Sequence, residues 1–153
     1  MTLAKDGRSI RITATPARHG PAGIEPFAGE VVGFVLSLDK ADAIYITGDT
    51  VWYDGVAEVA RRHKPGVILL FAGAAQTRGP FHLTMDTNDA IETAQAFPEA
   101  AIVPVQYEGW MHFKQTTTCS SLSMRSDSGR DCTCCNRASR PRSICHGRRL
   151  SPA

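Results

Sequence analysis

The chain has 153 residues, 42% of them hydrophobic and 21% charged, with a formal net charge of +2, which is the make-up of one modest globular domain. No apolar run is long enough to span a bilayer and the first residues, Met1 to Asp6, form no apolar signal core, so a membrane-free, cytoplasmic protein is expected. The near-neutral total hides two unlike segments: 1–115 holds four Lys and six Arg against thirteen acidic residues, whereas 116–153 holds seven Arg against Asp127 and Asp131.

Taken in chain order, residues 9–15 alternate apolar and polar, with Ile10, Ile12 and Ala14 on one face, the period of a half-buried strand. The Pro- and Gly-rich run 16–29 reads as a loop. Strands are expected over 31–38 and 43–47, joined through Asp39-Lys40-Ala41-Asp42 as a hairpin. Residues 56–63 place Val56, Val59, Ala60 and His63 on one helical stripe that Pro65-Gly66 stops, and 67–71 is a short apolar strand. After a loop over 72–83, a helix is expected over 86–97, with Thr84 or Asp86 as N-cap and Ala90, Ile91, Ala94 and Phe97 buried. Residues 101–105 form the last strand. This order predicts a layered α/β fold with polar groups gathered where strands end.

The tail 116–153 has no aromatic residue and only Leu122, Met124, Ile144 and Leu150 as larger apolar side chains, too few to offset chain entropy, so disorder is expected there. All five cysteines lie in this tail, and disulfides therefore contribute nothing to 1–115. The group Cys132, Cys134, Cys135, Cys145 and His146 lacks the paired spacing of zinc sites, and chance explains it better. Seven arginines without an aromatic partner or a fold to present them predict no specific nucleic-acid binding.

Three strand-to-loop junctions carry the chemistry. Ile44-Tyr45-Ile46-Thr47-Gly48-Asp49-Thr50 runs a strand into a glycine turn that presents a carboxylate. Thr15-Pro16-Ala17-Arg18-His19 presents an imidazole, and Val103-Pro104-Val105-Gln106-Tyr107-Glu108-Gly109-Trp110 presents an amide. With these motifs in this order, 1–115 resembles the C-terminal half of the metallo-β-lactamase-fold hydrolases, in the branch of ascorbate-6-phosphate lactonase and N-acylphosphatidylethanolamine phospholipase D-type enzymes. The resemblance implies half of an αββα sandwich. It makes His19 a metal ligand, Asp49 a bridging and catalytic carboxylate, and position 106 the last ligand. It also sets His82, in Gly79-Pro80-Phe81-His82-Leu83-Thr84-Met85, close to a small-molecule substrate as a second catalytic position. The implied cofactor is a pair of Zn²⁺ ions, with Mn²⁺ as an alternative. The implied reaction is hydrolysis of an ester, lactone or phosphodiester by metal-bound hydroxide, since two cations lower the pKa of a shared water toward neutrality.

Three departures from the family pattern predict an impaired copy. The family's upstream HxHxDH motif is missing, and no H-x-H occurs in the sequence. Gln106 replaces a ligand histidine, and an amide oxygen is a poor donor to Zn²⁺. The third is the abrupt change near Gln115, which suggests out-of-frame translation of a G+C-rich gene over 116–153. Weak or absent metal binding is the expectation.

Each of these residues also has a blander role open to it. Asp after Gly is commonly an N-cap or turn residue, a reading that the flanking motifs reverse for Asp49. His82 stands evenly between substrate contact and loop histidine. Trp110 and His112 fit packing at the end of the fold or the rim of the site, and His63 fits a helix C-terminus. Glu108 is a loop carboxylate with no assigned role. The competing function is a non-catalytic half-domain whose apolar face must be covered by a second copy or by a complementary half.

Overall fold

The structure, a computed structural model, describes residues 1–38, 41–77 and 79–115. The turn residues Asp39 and Lys40, the tail with its expected disorder, and the cysteine group lie outside the described residues. One six-stranded sheet runs in the order β1 (Thr2–Lys5), β2 (Arg8–Pro16), β3 (Val32–Leu38), β4 (Ala41–Ile46), β5 (Pro65–Phe71), β6 (Ala101–Val105). The first three pairings are antiparallel and the last two parallel. Helices α1 (Glu25–Ala28), α2 (Asp54–Arg62) and α3 (Thr87–Ala96) occupy the connections, giving the mixed α/β class expected. No helix among the described residues is long and apolar enough to cross a membrane.

Two elements were not foreseen. β1 pairs with β2 through Asp6-Gly7, both left-handed (φ 52° and 73°), the backbone of a two-residue hairpin loop. The loop over 16–29 contains the single turn α1, which ends at Gly29 (φ 81°).

The two longer helices form where periodicity agrees with end charges in α2 and with a capping side chain in α3. α2 carries Asp54 in its first turn and Arg61 and Arg62 in its last, both favourable to the helix dipole, and buries Val56, Val59 and Ala60. Hydrogen bonding to Arg61, with Arg62 adding to it, holds the partly exposed Glu58 carboxyl below its usual range. In α3 the Asp86 side chain accepts the Asp89 amide at 2.9 Å, so Asp86 is the N-cap. Thr84 instead accepts the Ala75 amide. The expected buried stripe of α3 needs correction, because Ile91 is 42% exposed while Thr93 is fully buried. Thr93 tolerates burial because its hydroxyl donates to the Asp89 carbonyl one turn back, at 2.8 Å.

Burial is one-sided. The core joins Val35, Tyr45, Ile68 and Leu70 from the sheet to Val56, Val59, Met85, Ala90 and Phe97 from the helical layer. Each such aliphatic side chain contributes about 1.5–3 kcal/mol when fully buried. Burial also pushes the Tyr45 phenol well above its usual range, keeping it neutral against Phe97.

The opposite face of the sheet follows from the register. Leu3–Ile10, Ile10–Leu38, Ile12–Leu36, Ala14–Phe34, Phe34–Ile46, Leu36–Ile44, Ile44–Val67, Ile46–Leu69, Leu69–Val103 and Phe71–Val105 are all apolar pairs. None of these side chains is buried. The apolar stripe of β2 therefore lies on this uncovered side, and it is Thr15 that faces the core. β6 closes the sheet as an edge strand, and its Pro104 sits beside Leu70.

Candidate metal centre

β2, β4, β5 and β6 point the same way, because β3 reverses between β2 and β4 and the rest are parallel. The segments leaving their C-terminal ends therefore meet at one edge. They carry His19, Asp49 and Gln106.

Gly48 makes the turn at the end of β4. Its φ is 68°, and a Cβ there would lie 2.6 Å from the Val32 carbonyl oxygen. Gly48→Ala is therefore expected to cost about 1–3 kcal/mol, from the left-handed backbone and that contact. Denaturant titration would register it as a lower midpoint with unchanged slope.

Two threonines hold the loops in place. Thr47 Oγ1 accepts the Phe71 amide at 3.0 Å and donates to the Gly48 carbonyl, tying the end of β4 to that of β5. Thr50, fully buried, accepts the Arg18 amide at 2.9 Å, and the Val51 amide returns a bond to the Arg18 carbonyl at 3.0 Å. Residue 18 is thus clamped from both sides. Its neighbour His19 is delivered to Asp49.

His19 Nε2 lies 3.6 Å from Asp49 Oδ2. His19 Nδ1 is 3.0 Å from the Ala28 carbonyl oxygen at the end of α1. A carbonyl only accepts, so Nδ1 carries a proton and Nε2 is the ring nitrogen turned toward the carboxylate. Asp49 Oδ1 is buried without a hydrogen-bond partner. Donor atoms that face one another unbonded are costly unless a cation or proton joins them, so the pair fits a metal ion.

Gln106 follows β6 at the same edge with an exposed side chain that makes no hydrogen bond among the described residues. Its backbone is left-handed, φ 54°, uncommon for a residue other than glycine.

His82 packs beside the His19 loop through its backbone. A Cβ on Gly20 would lie 2.9 Å from the His82 carbonyl oxygen. Its imidazole turns elsewhere, with Nε2 at 3.5 Å from Asp89 Oδ2 and 3.9 Å from Asp86 Oδ2, and no ion pair joins it to Asp49.

Asp89, in the run Thr87-Asn88-Asp89-Ala90 that follows the His82 segment, carries no pattern that marks it in the sequence. Burial raises its carboxyl above the usual 3.8; the Trp52 backbone N–H opposes that shift, the Asp86 charge adds to it and His82 opposes it. An acid raised in the folded state destabilises as pH climbs through its folded pKa, and this cost is absent below 3.8. Asp89→Asn should therefore raise the melting temperature at pH 7 and leave it unchanged at pH values below the normal aspartate range.

Beside His19 opens a depression of about 320 Å³ lined by Arg18, Tyr53, Glu25 and Glu30. The Arg18 guanidinium lies 4.4 Å over the Tyr53 ring. Burial raises the Tyr53 phenol, and Arg18 offsets part of that. Arg18 is a second residue that pattern reading passed over. A larger hollow of about 400 Å³, between Asp42, Lys64 and Glu99, lies at the opposite ends of the strands, away from these loops. Trp110 is 70% exposed, its ring 5.8 Å from that of His112, which lies 4.5 Å from the Phe113 ring.

A sheet whose strand-end loops bring imidazole to carboxylate, backed by helices on one face, has the layout of the metallo-β-lactamase fold. The chain belongs to the Beta-lactamase superfamily domain family, whose model matches residues 2–107. It is 30% identical over 105 residues to UPF0173 protein YddR of Bacillus subtilis, covering 68% of this chain and 41% of that protein. A UPF0173 metal-dependent hydrolase of Thermoplasma acidophilum is 31% identical over 98 residues, 64% of this chain and 40% of the relative. Among solved structures, isothiocyanate hydrolase from Delia radicum gut bacteria superposes with a TM-score of 0.66 at 27% identity, over 79% of this chain and 48% of that one. A possible metal-dependent hydrolase from Veillonella parvula gives 0.67 at 26% identity, with the same coverage. The chain spans about two fifths of the length of these curated relatives.

Proposed function

We propose that this chain carries part of the metal centre of a hydrolase that cleaves an ester, lactone or phosphodiester, in the ascorbate-6-phosphate lactonase and N-acylphosphatidylethanolamine phospholipase D-like branch, and that its own metal binding is impaired. The observation that carries this is the pairing of His19 Nε2 with Asp49 Oδ2 at 3.6 Å, with Oδ1 buried and unbonded.

His19 and Asp49 would hold the ion, with Gln106 at the degenerate third position; zinc suits the imidazole and carboxylate, and manganese the carboxylate. When bound, such an ion lowers the pKa of a coordinated water toward neutrality. The chain's own residues orient and select. The Ala28 carbonyl fixes the His19 tautomer. Arg18 sets a positive charge beside His19, suited to an anionic substrate group. His82, held between Asp86 and Asp89 next to Gly20, is the group offered to a substrate.

Impairment follows from the donor count. With an amide at 106 in place of an imidazole, this chain brings two strong protein ligands, His19 and Asp49, to the site. After dialysis the purified chain should keep well below two equivalents of Zn²⁺ or Mn²⁺ and turn over a generic phosphodiester or lactone poorly. Two equivalents by elemental analysis together with brisk hydrolysis would overturn the impairment.

The uncovered sheet face favours a second reading, a non-catalytic half-domain that needs another layer to cover it.

A further inference from the structure

We propose that Asp89 is a positioning residue: it accepts the Nε2 proton of His82, fixes that imidazole beside the Asp49 loop, and leaves Nδ1 as the nitrogen that exchanges a proton with a substrate. This rests on the reading of His82 as the group offered to a substrate.

The backbone of the His82 segment is pinned from two sides. The Leu83 amide donates to the Ala75 carbonyl at 2.7 Å, and the Leu83 carbonyl accepts the Gly20 amide at 3.3 Å, which holds the segment against the loop that carries His19. The side chain meets a different element. Nε2 lies 3.5 Å from Oδ2 of Asp89, in the first turn of α3, and 3.9 Å from Oδ2 of Asp86, its N-cap. The Asp89 carboxyl also receives the backbone N–H of Trp52, just past Asp49. One carboxylate thus links the imidazole to the Asp49 loop.

Of the two acids, Asp89 is the one free to do this. Asp86 Oδ1 is spent on the Asp89 amide at 2.9 Å, and its Oδ2 is the more distant. Asp89 Oδ2 is buried and has no hydrogen-bond partner. A carboxylate oxygen can only accept, and the group facing it is His82 Nε2. At 3.5 Å the pair stands just outside hydrogen-bond length, and contacts of this kind between catalytic groups tighten when substrate binds.

The ring proton is free to follow. At His19 the Ala28 carbonyl claims a proton for Nδ1, whereas His82 Nδ1 has no partner among the described residues. With Nε2–H held by Asp89, the Nδ1 lone pair takes a proton from a substrate group and returns it to a leaving oxygen. The carboxylate stabilises the imidazolium that exists between the two transfers. A cation is the other use for His82, Asp86 and Asp89, whose donor atoms lie within 4.8 Å of one another. The free amides that open α3 oppose it, because a helix N-terminus favours negative charge.

The test is the proton–nitrogen correlation spectrum of the imidazoles in the full chain at neutral pH, with His82→Gln used to assign the signal. A slowly exchanging ring proton is expected on Nε2 of His82. Asp89→Ala should speed its exchange at least about tenfold. Asp86→Asn, which keeps a side chain suited to the N-cap, should retain it. An Asp89 that serves only the helix end and the Trp52 amide would leave the ring proton unchanged in Asp89→Ala, and that result overturns the proposal. Loss of the signal in Asp86→Asn alone would give the role to Asp86 and overturn it too. Should Asp89→Ala fail to fold, the unaltered chain still decides, since a ring proton on Nδ1, or none that is protected, is the contrary result. A His82 signal displaced by stoichiometric Zn²⁺ in the Asp49→Ala protein would make the three groups a metal site instead. Metal titration of the unaltered chain is read separately. A protected Nε2–H in a chain that binds no metal removes the hydrolase reading and leaves the Asp89–His82 pair, whereas metal binding with the proton on Nδ1 removes this proposal alone.

Discussion

Asp49→Ala is expected to abolish what retention of Zn²⁺ or Mn²⁺ the chain has, weakening affinity by at least about a hundredfold, yet to leave the chelated protein as stable as the parent or more so. The two halves of this expectation have one cause. Asp49 Oδ1 is buried without a partner, and Oδ2 lies 3.6 Å from His19 Nε2, beyond hydrogen-bond length. Without a cation these contacts oppose folding by about 1–3 kcal/mol, the usual cost of an unsatisfied buried group. Alanine removes that cost together with the ligand. Calorimetric titration gives the affinity, and melting with and without EDTA gives the stability. In the parent a ligand at a hundred times its Kd adds about 2.7 kcal/mol, a shift the variant should lack. A carboxylate serving only as a turn residue would give the reverse pattern, unchanged affinity and a lower melting temperature.

The second large effect is a gain. Gln106→His should tighten metal binding at least tenfold, about 1.4 kcal/mol, because imidazole replaces a poor amide donor at the end of β6. The backbone already suits it. Residue 106 is left-handed at φ 54°, a region where histidine is several-fold enriched over other side chains. Its side chain is exposed and makes no hydrogen bond among the described residues, so nothing has to be broken. Equal affinity in the two proteins would mean that the end of β6 does not serve the His19–Asp49 pair. The double variant with Asp49→Ala should bind no better than Asp49→Ala alone if both residues hold one ion.

Much of the fold was legible because the two periodicities differ so clearly. Val67 to Phe71 and Ala101 to Val105 are short apolar runs bounded by Pro and Gly or Ala, and both are strands. β1 escaped because four exposed residues carry no burial pattern; the Asp6-Gly7 pair was the signal, the dipeptide that two-residue hairpins favour. The face assignment of β2 could not be read locally. Ile10, Ile12 and Ala14 are apolar and uncovered while Thr15 is buried, since which side of a sheet the helices take depends on connections far along the chain. Ile91 was misplaced for a related reason, because Thr93 pairs with its own helix and so competes for the inner face. At the candidate site, motif spacing was enough to bring His19 to Asp49. It gave no hint of Thr50, whose hydroxyl grips the Arg18 amide across 32 positions, or of Asp89, whose partner is the Trp52 backbone.

Pro104 has a consequence for how copies of this chain can meet. An outermost strand normally offers a row of amides and carbonyls onto which another strand can add without end, the route to fibrils. At the β6 margin that row is broken, since an imino nitrogen has no hydrogen to give and ladder growth stalls beside it. Strand addition is thereby disfavoured at the margin whose strand leads into Gln106.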